Sequence, residues 1–187
     1  MIEKKVKIVE VLLNNKELSI REISKLSKMD YKDTYYTVKN LLKEKILKRK
    51  RVGKANLISL KSLDNEIVIL AEYNRRRKIL KNKNIKIIFS ILKKLKFQFI
   101  ALIFGSFLKE KRYSDIDLLI ICEEKRENEI REALSILPLN LHLTFITYEE
   151  FTAMLKSKEF NVVNEALKNY VLLVGIEDFY RVIENAK

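Results

Sequence analysis

The residues best equipped for chemistry lie in the second half of the chain. Gly105-Ser106 closes the apolar run Phe99-Ile-Ala-Leu-Ile-Phe104. After seven intervening residues, Ser114-Asp115-Ile116-Asp117 opens a second apolar run, Leu118 to Ile121. Runs of this length and composition read as buried strands. Side chains alternate along a strand, so Asp115 and Asp117 share one face while Ile116 and Leu118 take the other. Two carboxylates about 7 Å apart along a strand can chelate one or two divalent cations. Mg²⁺ or Mn²⁺ suits such hard oxygen ligands and keeps positions open for phosphate. Gly105 lets the backbone approach a triphosphate closely. Ser106 offers a hydroxyl and an N–H to phosphate oxygens. Gly105, Ser106 and Ser114 are therefore the nucleotide-binding candidates, and Asp115 and Asp117 the metal-binding and catalytic ones. Asp117 sits among Ile116, Leu118 and Leu119, so its carboxylate needs a partner or a metal.

This arrangement resembles the DNA-polymerase-β-like nucleotidyltransferase superfamily, especially its small prokaryotic members, over roughly residues 85–187. The closing stretch from Asn164 to Tyr180 is also similar to the end of many members. The resemblance implies a mixed β-sheet flanked by helices. It implies metal held by Asp115 and Asp117, an NTP as donor, and transfer of a nucleoside monophosphate to an acceptor hydroxyl on a protein or nucleic acid such as RNA. Active members carry a third carboxylate on a later strand. Here that strand, Leu139 to Thr147, contains no acid, and alternation groups Asn140, His142 and Thr144 on one face. His142 can act as base or ligand in place of the acid, or it is a polar residue on a half-exposed face. Asn140 could do neither job well. Glu149 and Glu150 follow the strand as weak substitutes, and Thr147 with Glu150 also reads as a capping box. Lys109, Lys111 and Arg112 either touch phosphates or are solvated. The alternative to an enzyme is a DNA-binding regulator whose second domain is catalytically silent and senses a nucleotide or mediates dimerisation. A third reading, the partner of a HEPN-type toxin, rests on family analogy alone.

The elements upstream of this signature form a separate pattern. Val6, Ile8, Val9, Leu12 and Leu13 recur at helical spacing. Ser19 and Glu22 make a capping box for a second helix carrying Ile23 and Leu26. Asp30 caps a third helix that buries Tyr35, Val38, Leu41 and Leu42. Ile46 to Arg51 and Ala55 to Leu60 read as strands joined through Val52-Gly53-Lys54. The order resembles winged-helix transcription regulators over residues 3–60, with Lys45 where many of them carry glycine. The resemblance implies binding to double-stranded DNA through the third helix in the major groove, and often a homodimer. Its solvent face offers Lys32, Tyr36, Thr37, Lys39, Asn40 and Lys43. The wing offers Lys48, Arg49, Lys50, Arg51 and Lys54, expected mainly to hold phosphates.

The expected class is thus α+β: an N-terminal winged helix-turn-helix over 1–60, a basic helical linker over 61–84, and a nucleotidyltransferase fold over 85–187. In the linker, Arg75, Arg76 and Arg77 either extend the DNA footprint or sit on a solvated or dimer-forming helix. The charge distribution supports a polyanionic partner. Net charge is +9 over residues 1–60, +8 over 61–98 and −4 over 99–187. No apolar run approaches the roughly 18 residues of a membrane span, Met1-Ile-Glu-Lys-Lys opens without a signal-peptide core, and the lone Cys122 has no disulfide partner. These features fit a cytoplasmic protein.

Overall fold

In the computed structural model, which describes residues 2–53, 55–108, 115–157 and 159–186, the capping residues do start their helices. The chain is α+β and divides into two compact units, Met1–Asn74 and Arg75–Lys187. The division falls within the 61–84 stretch, inside helix α4 (Glu66–Ile79). Lys54, Lys109, Lys111, Arg112 and Ser114 lie outside the described residues. Among those described, no helix is long and apolar enough to cross a membrane.

The first unit begins with α1 (Ile2–Asn14), β1 (Leu18–Ser19) and α2 (Ile20–Ser27). At the head of α2 the Glu22 N–H donates to Ser19 Oγ at 3.3 Å, and the Glu22 carboxylate accepts from the Ser19 N–H at 2.8 Å. Hydrogen bonds from the Ser19 hydroxyl and backbone hold the Glu22 carboxyl below its ordinary pKa. The Asp30 carboxylate accepts from the N–H groups of Lys32 and Asp33 to start α3 (Tyr31–Lys43). Strands β2 (Leu47–Val52) and β3 (Ala55–Leu60) follow, and the antiparallel sheet has the order β1-β3-β2. Ile8, Val9, Ile23, Val38, Leu41 and Ile58 are fully buried at the centre of this unit.

Two expectations fail on α3. Tyr35 is 44% exposed rather than buried, and Thr37 is buried rather than on the solvent face. The inward stripe is Thr34, Thr37, Val38 and Leu41. Each threonine hydroxyl turns back onto a carbonyl one turn earlier, Thr34 to Asp30 at 2.8 Å and Thr37 to Asp33 at 2.7 Å. A small side chain that satisfies its own hydroxyl can be buried where a tyrosine ring would not fit. Leu26 of α2, expected in the core, is also exposed.

Helix α3 ends in a Schellman motif. The Ile46 N–H donates to Leu41 O at 3.0 Å and the Lys45 N–H to Leu42 O at 3.1 Å, with Lys45 left-handed at φ +60°. Glycine is favoured there because a Cβ is strained in this region. Lys45→Gly is therefore expected to stabilise the first unit by about 0.5–1 kcal/mol, the gain being trimmed by the added freedom of the unfolded chain. A higher denaturant midpoint with an unchanged slope would bear this out; a lower midpoint would show that the lysine stem contributes more than its backbone strain costs.

In the second unit, α5 (Lys83–Leu92), capped by Asn82, precedes the fully buried strand β4 (Ile100–Phe104) and a short 3₁₀ turn, Ser106–Leu108. Strand β5 (Ile116–Ile121), α6 (Glu127–Ser135), β6 (Leu141–Ile146), α7 (Tyr148–Lys156), α8 (Val162–Ala166), β7 (Tyr170–Val174) and α9 (Ile176–Asn185) complete it. The sheet order is β6-β5-β4-β7. β4 is antiparallel to both β5 and β7, while β5 and β6 run parallel, so the sheet is mixed. Ala101, Ile103, Ile116, Leu118 and Ile120 form one core with Ile85, Ile88 and Leu92 of α5 and Ile130 and Leu134 of α6. On the helices that follow β6, Phe151, Phe179 and Tyr180 are fully buried, and Phe179 packs against both the Phe151 and Tyr170 rings.

Arg75 and Arg76 are part of this unit's architecture. The Arg75 guanidinium donates to the Tyr170 carbonyl and lies 5.3 Å from the centroid of that ring. Arg76 donates to the Leu173 carbonyl at 2.9 Å and lies 5.0 Å from the Phe89 centroid. Both carbonyls belong to the edge strand β7, so these cations occupy an edge that would otherwise be open to pairing. Both guanidinium groups are engaged within this unit, and Arg77 alone of the three is exposed.

Candidate functional site

Strand register assembles the cleft. Phe104 of β4 pairs with Asp117 of β5, and Asp117 pairs with His142 of β6. One residue past Phe104, Gly105 adopts φ +79°, and a Cβ there would stand 2.1 Å from Asp117 Oδ2. A Cβ there would require the Asp117 side chain to move, and the positive φ strains any residue but glycine. On the other side, His142 Nδ1 lies 3.0 Å from Asp117 Oδ1. A carboxylate only accepts hydrogen bonds, so in this contact Nδ1 carries the proton and the Nε2 of a neutral ring keeps its lone pair. The His142 side chain is 68% exposed and that of Asp117 only 18%. The imidazole is thus one partner of the Asp117 carboxylate, and His142 stands where the register puts the residue opposite Asp117.

These residues line a cleft of about 290 Å³ with Phe104, Thr144, Val162, Glu165, Lys168 and Asn169. Glu165, Lys168 and Asn169 are contributed by α8 and the residues after it, and no local pattern in the sequence marked them as site residues. Lys168 Nζ pairs with Glu165 Oε2 at 2.5 Å; the Lys168 side chain is exposed and that of Glu165 half-buried. Glu165 brings a carboxylate to the same cleft as Asp117 although the strand expected to supply an acid has none. The available signal was a Glu and a Lys three apart beside a short apolar helix, which a solvated helix face would also show.

Other candidates lie elsewhere. Asp115 is half-buried one residue before β5, and Ser106 is half-buried in the 3₁₀ turn after Gly105; neither lines the cleft. Asn140 precedes β6, where its carbonyl accepts from the Ile116 N–H at 3.0 Å. Glu149 and Glu150 follow the far ends of β5 and β6, on the order of 15 Å along the strands from Asp117. Glu150 closes the capping box with Thr147. Cys122 is buried near that end, and burial, with the charges of Glu127 and Glu123, pushes its thiol up to about 11, the behaviour of a packing residue.

No three His, Cys, Asp or Glu side chains among the described residues form a group able to hold a metal ion. A closed, all-protein cage is therefore not the mode that these donors fit. Mg²⁺ is commonly held by one or two carboxylates while substrate phosphates and water supply the rest. Asp117, half-buried and facing the cleft beside Gly105, suits that open mode.

In the first unit, Lys32, Tyr36, Lys39, Asn40 and Lys43 are exposed on α3, as are Lys48, Arg49, Lys50 and Arg51 on β2. Thr37 leaves the set because it is buried. Tyr31 and Tyr35 join it as exposed rings, and Tyr35 meets Tyr36 edge-on at 5.7 Å between centroids. Every residue of β2 after Leu47 is exposed, so the strand carries four consecutive cations without burying any of them.

Comparison with family models, with curated proteins and with solved structures finds no match to this chain.

Proposed function

We propose that the chain is a DNA-binding nucleotidyltransferase: a winged helix in the first unit, and in the second a nucleotidyltransferase fold that moves a nucleoside monophosphate from an NTP to an acceptor hydroxyl. The observation that carries this reading is the close approach of Gly105, at positive φ, to the Asp117 carboxylate, beside a cleft that His142 also faces. Gly105 brings backbone next to the position of the triphosphate. Asp117 would hold Mg²⁺ or Mn²⁺, with substrate phosphate and water completing the shell. When bound, that metal neutralises phosphate charge and stabilises the oxygens that attack and leave at the α-phosphorus. His142, oriented through Nδ1 by Asp117, presents Nε2 as the group that takes the acceptor's proton. Lys168 is placed on the cleft wall to meet a phosphate oxygen once it leaves Glu165. The direct test is incubation with each α-labelled NTP, Mg²⁺ or Mn²⁺, and RNA, DNA or protein acceptors. Label on a macromolecule supports the enzyme and identifies its acceptor class.

A second reading has its own supporting observation. Asp117 Oδ1 is already engaged by His142, and no third carboxylate lies on β6. NTP binding without transfer to any acceptor would favour a DNA-binding regulator that senses the nucleotide.

The DNA-binding proposal rests on the exposed cations of β2 and α3. Arg49→Ala with Arg51→Ala is expected to weaken binding to duplex DNA and to lower the slope of log K against log salt by about 2, one counterion per lost phosphate contact. Both residues are exposed and neither is in the core, so folding should be unchanged. Unaltered affinity and slope in a salt titration would remove the wing from the interface.

A further inference from the structure

Phe160 stands out because its ring is exposed while hydrogen bonds hold the residues on either side of it. The side chain is 84% exposed, in the connection between α7 and α8. The Asn161 amide donates to Met154 O at 3.1 Å and Glu159 O at 3.2 Å. The Asn164 amide donates to Ser157 O at 3.2 Å and again to Glu159 O at 3.3 Å. The Glu159 N–H donates to Ser157 Oγ at 3.1 Å. Hydrogen bonds therefore engage both neighbours of Phe160, Glu159 and Asn161. A single exposed apolar residue is ordinary on a protein surface, but an aromatic ring presented between two hydrogen-bonded neighbours is not explained by packing. Its position is informative too. Lys168 Nζ is 6.0 Å from the ring centroid, and Lys168 lines the same cleft as Gly105, Asp117 and His142.

The geometry points to Phe160 as a stacking platform for the base of the nucleotide whose phosphates occupy that cleft, an inference that rests on the nucleotide reading of the cleft. Phenylalanine carries no hydrogen-bonding group, so the ring offers its π-face and tolerates any base. Lys168, between ring and cleft, is placed to meet the phosphates on one side while the base lies over the ring on the other.

The test uses the full chain and calorimetric titration with each NTP and with inorganic tripolyphosphate, in Mg²⁺. Phe160→Ala is expected to weaken NTP binding about 5- to 100-fold, the range for loss of one base stack, and to leave tripolyphosphate binding unchanged. The chain contains no tryptophan, so Phe160→Trp adds a single reporter. That variant should keep NTP affinity, and its fluorescence should be quenched by NTP but not by tripolyphosphate. Equal NTP affinity for wild type and Phe160→Ala overturns the stacking role while the cleft reading stands. So does an altered oligomeric state with unaltered affinity, which would make the ring a protein contact. If wild type binds neither NTP nor tripolyphosphate, the cleft reading fails and this inference fails with it.

Discussion

Asp115→Asn combined with Asp117→Asn is expected to reduce nucleotidyl transfer by on the order of 10³-fold or more, to background, while duplex DNA binding stays at the wild-type level. The magnitude follows from the role of the charge. Groups that meet charge developing in a water-poor site each contribute factors of roughly 10²–10³, and here the same carboxylate also orients the proposed base. Asparagine keeps the size of aspartate and can still accept from His142 Nδ1, so the His142 contact and the close approach of Gly105 are preserved. The substitutions thus remove negative charge without opening a cavity. DNA affinity is the internal control, because the cations of α3 and β2 lie in the other unit. Full label transfer by the double variant would mean that the two aspartates are not the machinery, and the enzyme reading would be lost.

Gly175→Ala is expected to destabilise the second unit by about 3 kcal/mol or more, from a combination of backbone strain and overpacking. Gly175 adopts φ +73° between β7 and α9, and a Cβ there would lie 2.6 Å from the Phe99 carbonyl oxygen and 3.1 Å from Ile100 Cα. Those neighbours are main chain at the start of the central strand β4, so they cannot rotate away as a side-chain tip could. Gly53 provides the comparison. It also has positive φ, +57°, but nothing would lie within 4 Å of a Cβ. Gly53→Ala should therefore cost only the conformational term, about 1 kcal/mol. Denaturant unfolding of the two variants checks both values. Equal midpoints would show that the crowding at Gly175 relaxes and that the conformational term dominates at both sites.

The residues that were readable from the sequence are those whose roles are set within a few positions. Ser19, Asp30 and Thr147 cap helices because short oxygens meet N–H groups two or three residues on. Lys45 marked itself by occupying a glycine position, and its φ is positive. Asp117 and His142 fell on the expected strands, and their pairing then follows from register. What escaped depended on distance or shape. Thr37 and Tyr35 exchange places because polarity and size compete on a helix face, and the threonine hydroxyl has a carbonyl to return to. The carbonyl partners of Arg75 and Arg76 were not legible because they lie 95 and 97 residues away. Glu165 and Lys168 reach the cleft only when α8 folds against the sheet, some fifty residues after Asp117. Alternation also suggested that Asp115 would accompany Asp117, but β5 begins at Ile116 and the repeat does not extend back to it.

The strand order of the second unit has a consequence for biogenesis. β4 emerges first from the ribosome among the strands of its sheet, yet it lies between β5 and the last strand, β7. One side of β4 can pair with β5 as soon as Ile121 has been made. The other must wait until Val174 is available, some fifty residues after that. Until then a strand whose five residues are all buried in the finished protein exposes an unpaired apolar edge. The first unit has no such delay, since its sheet is complete at Leu60. Vectorial synthesis should therefore yield a folded N-terminal unit followed by a nascent chain that depends on chaperone protection until β7 arrives.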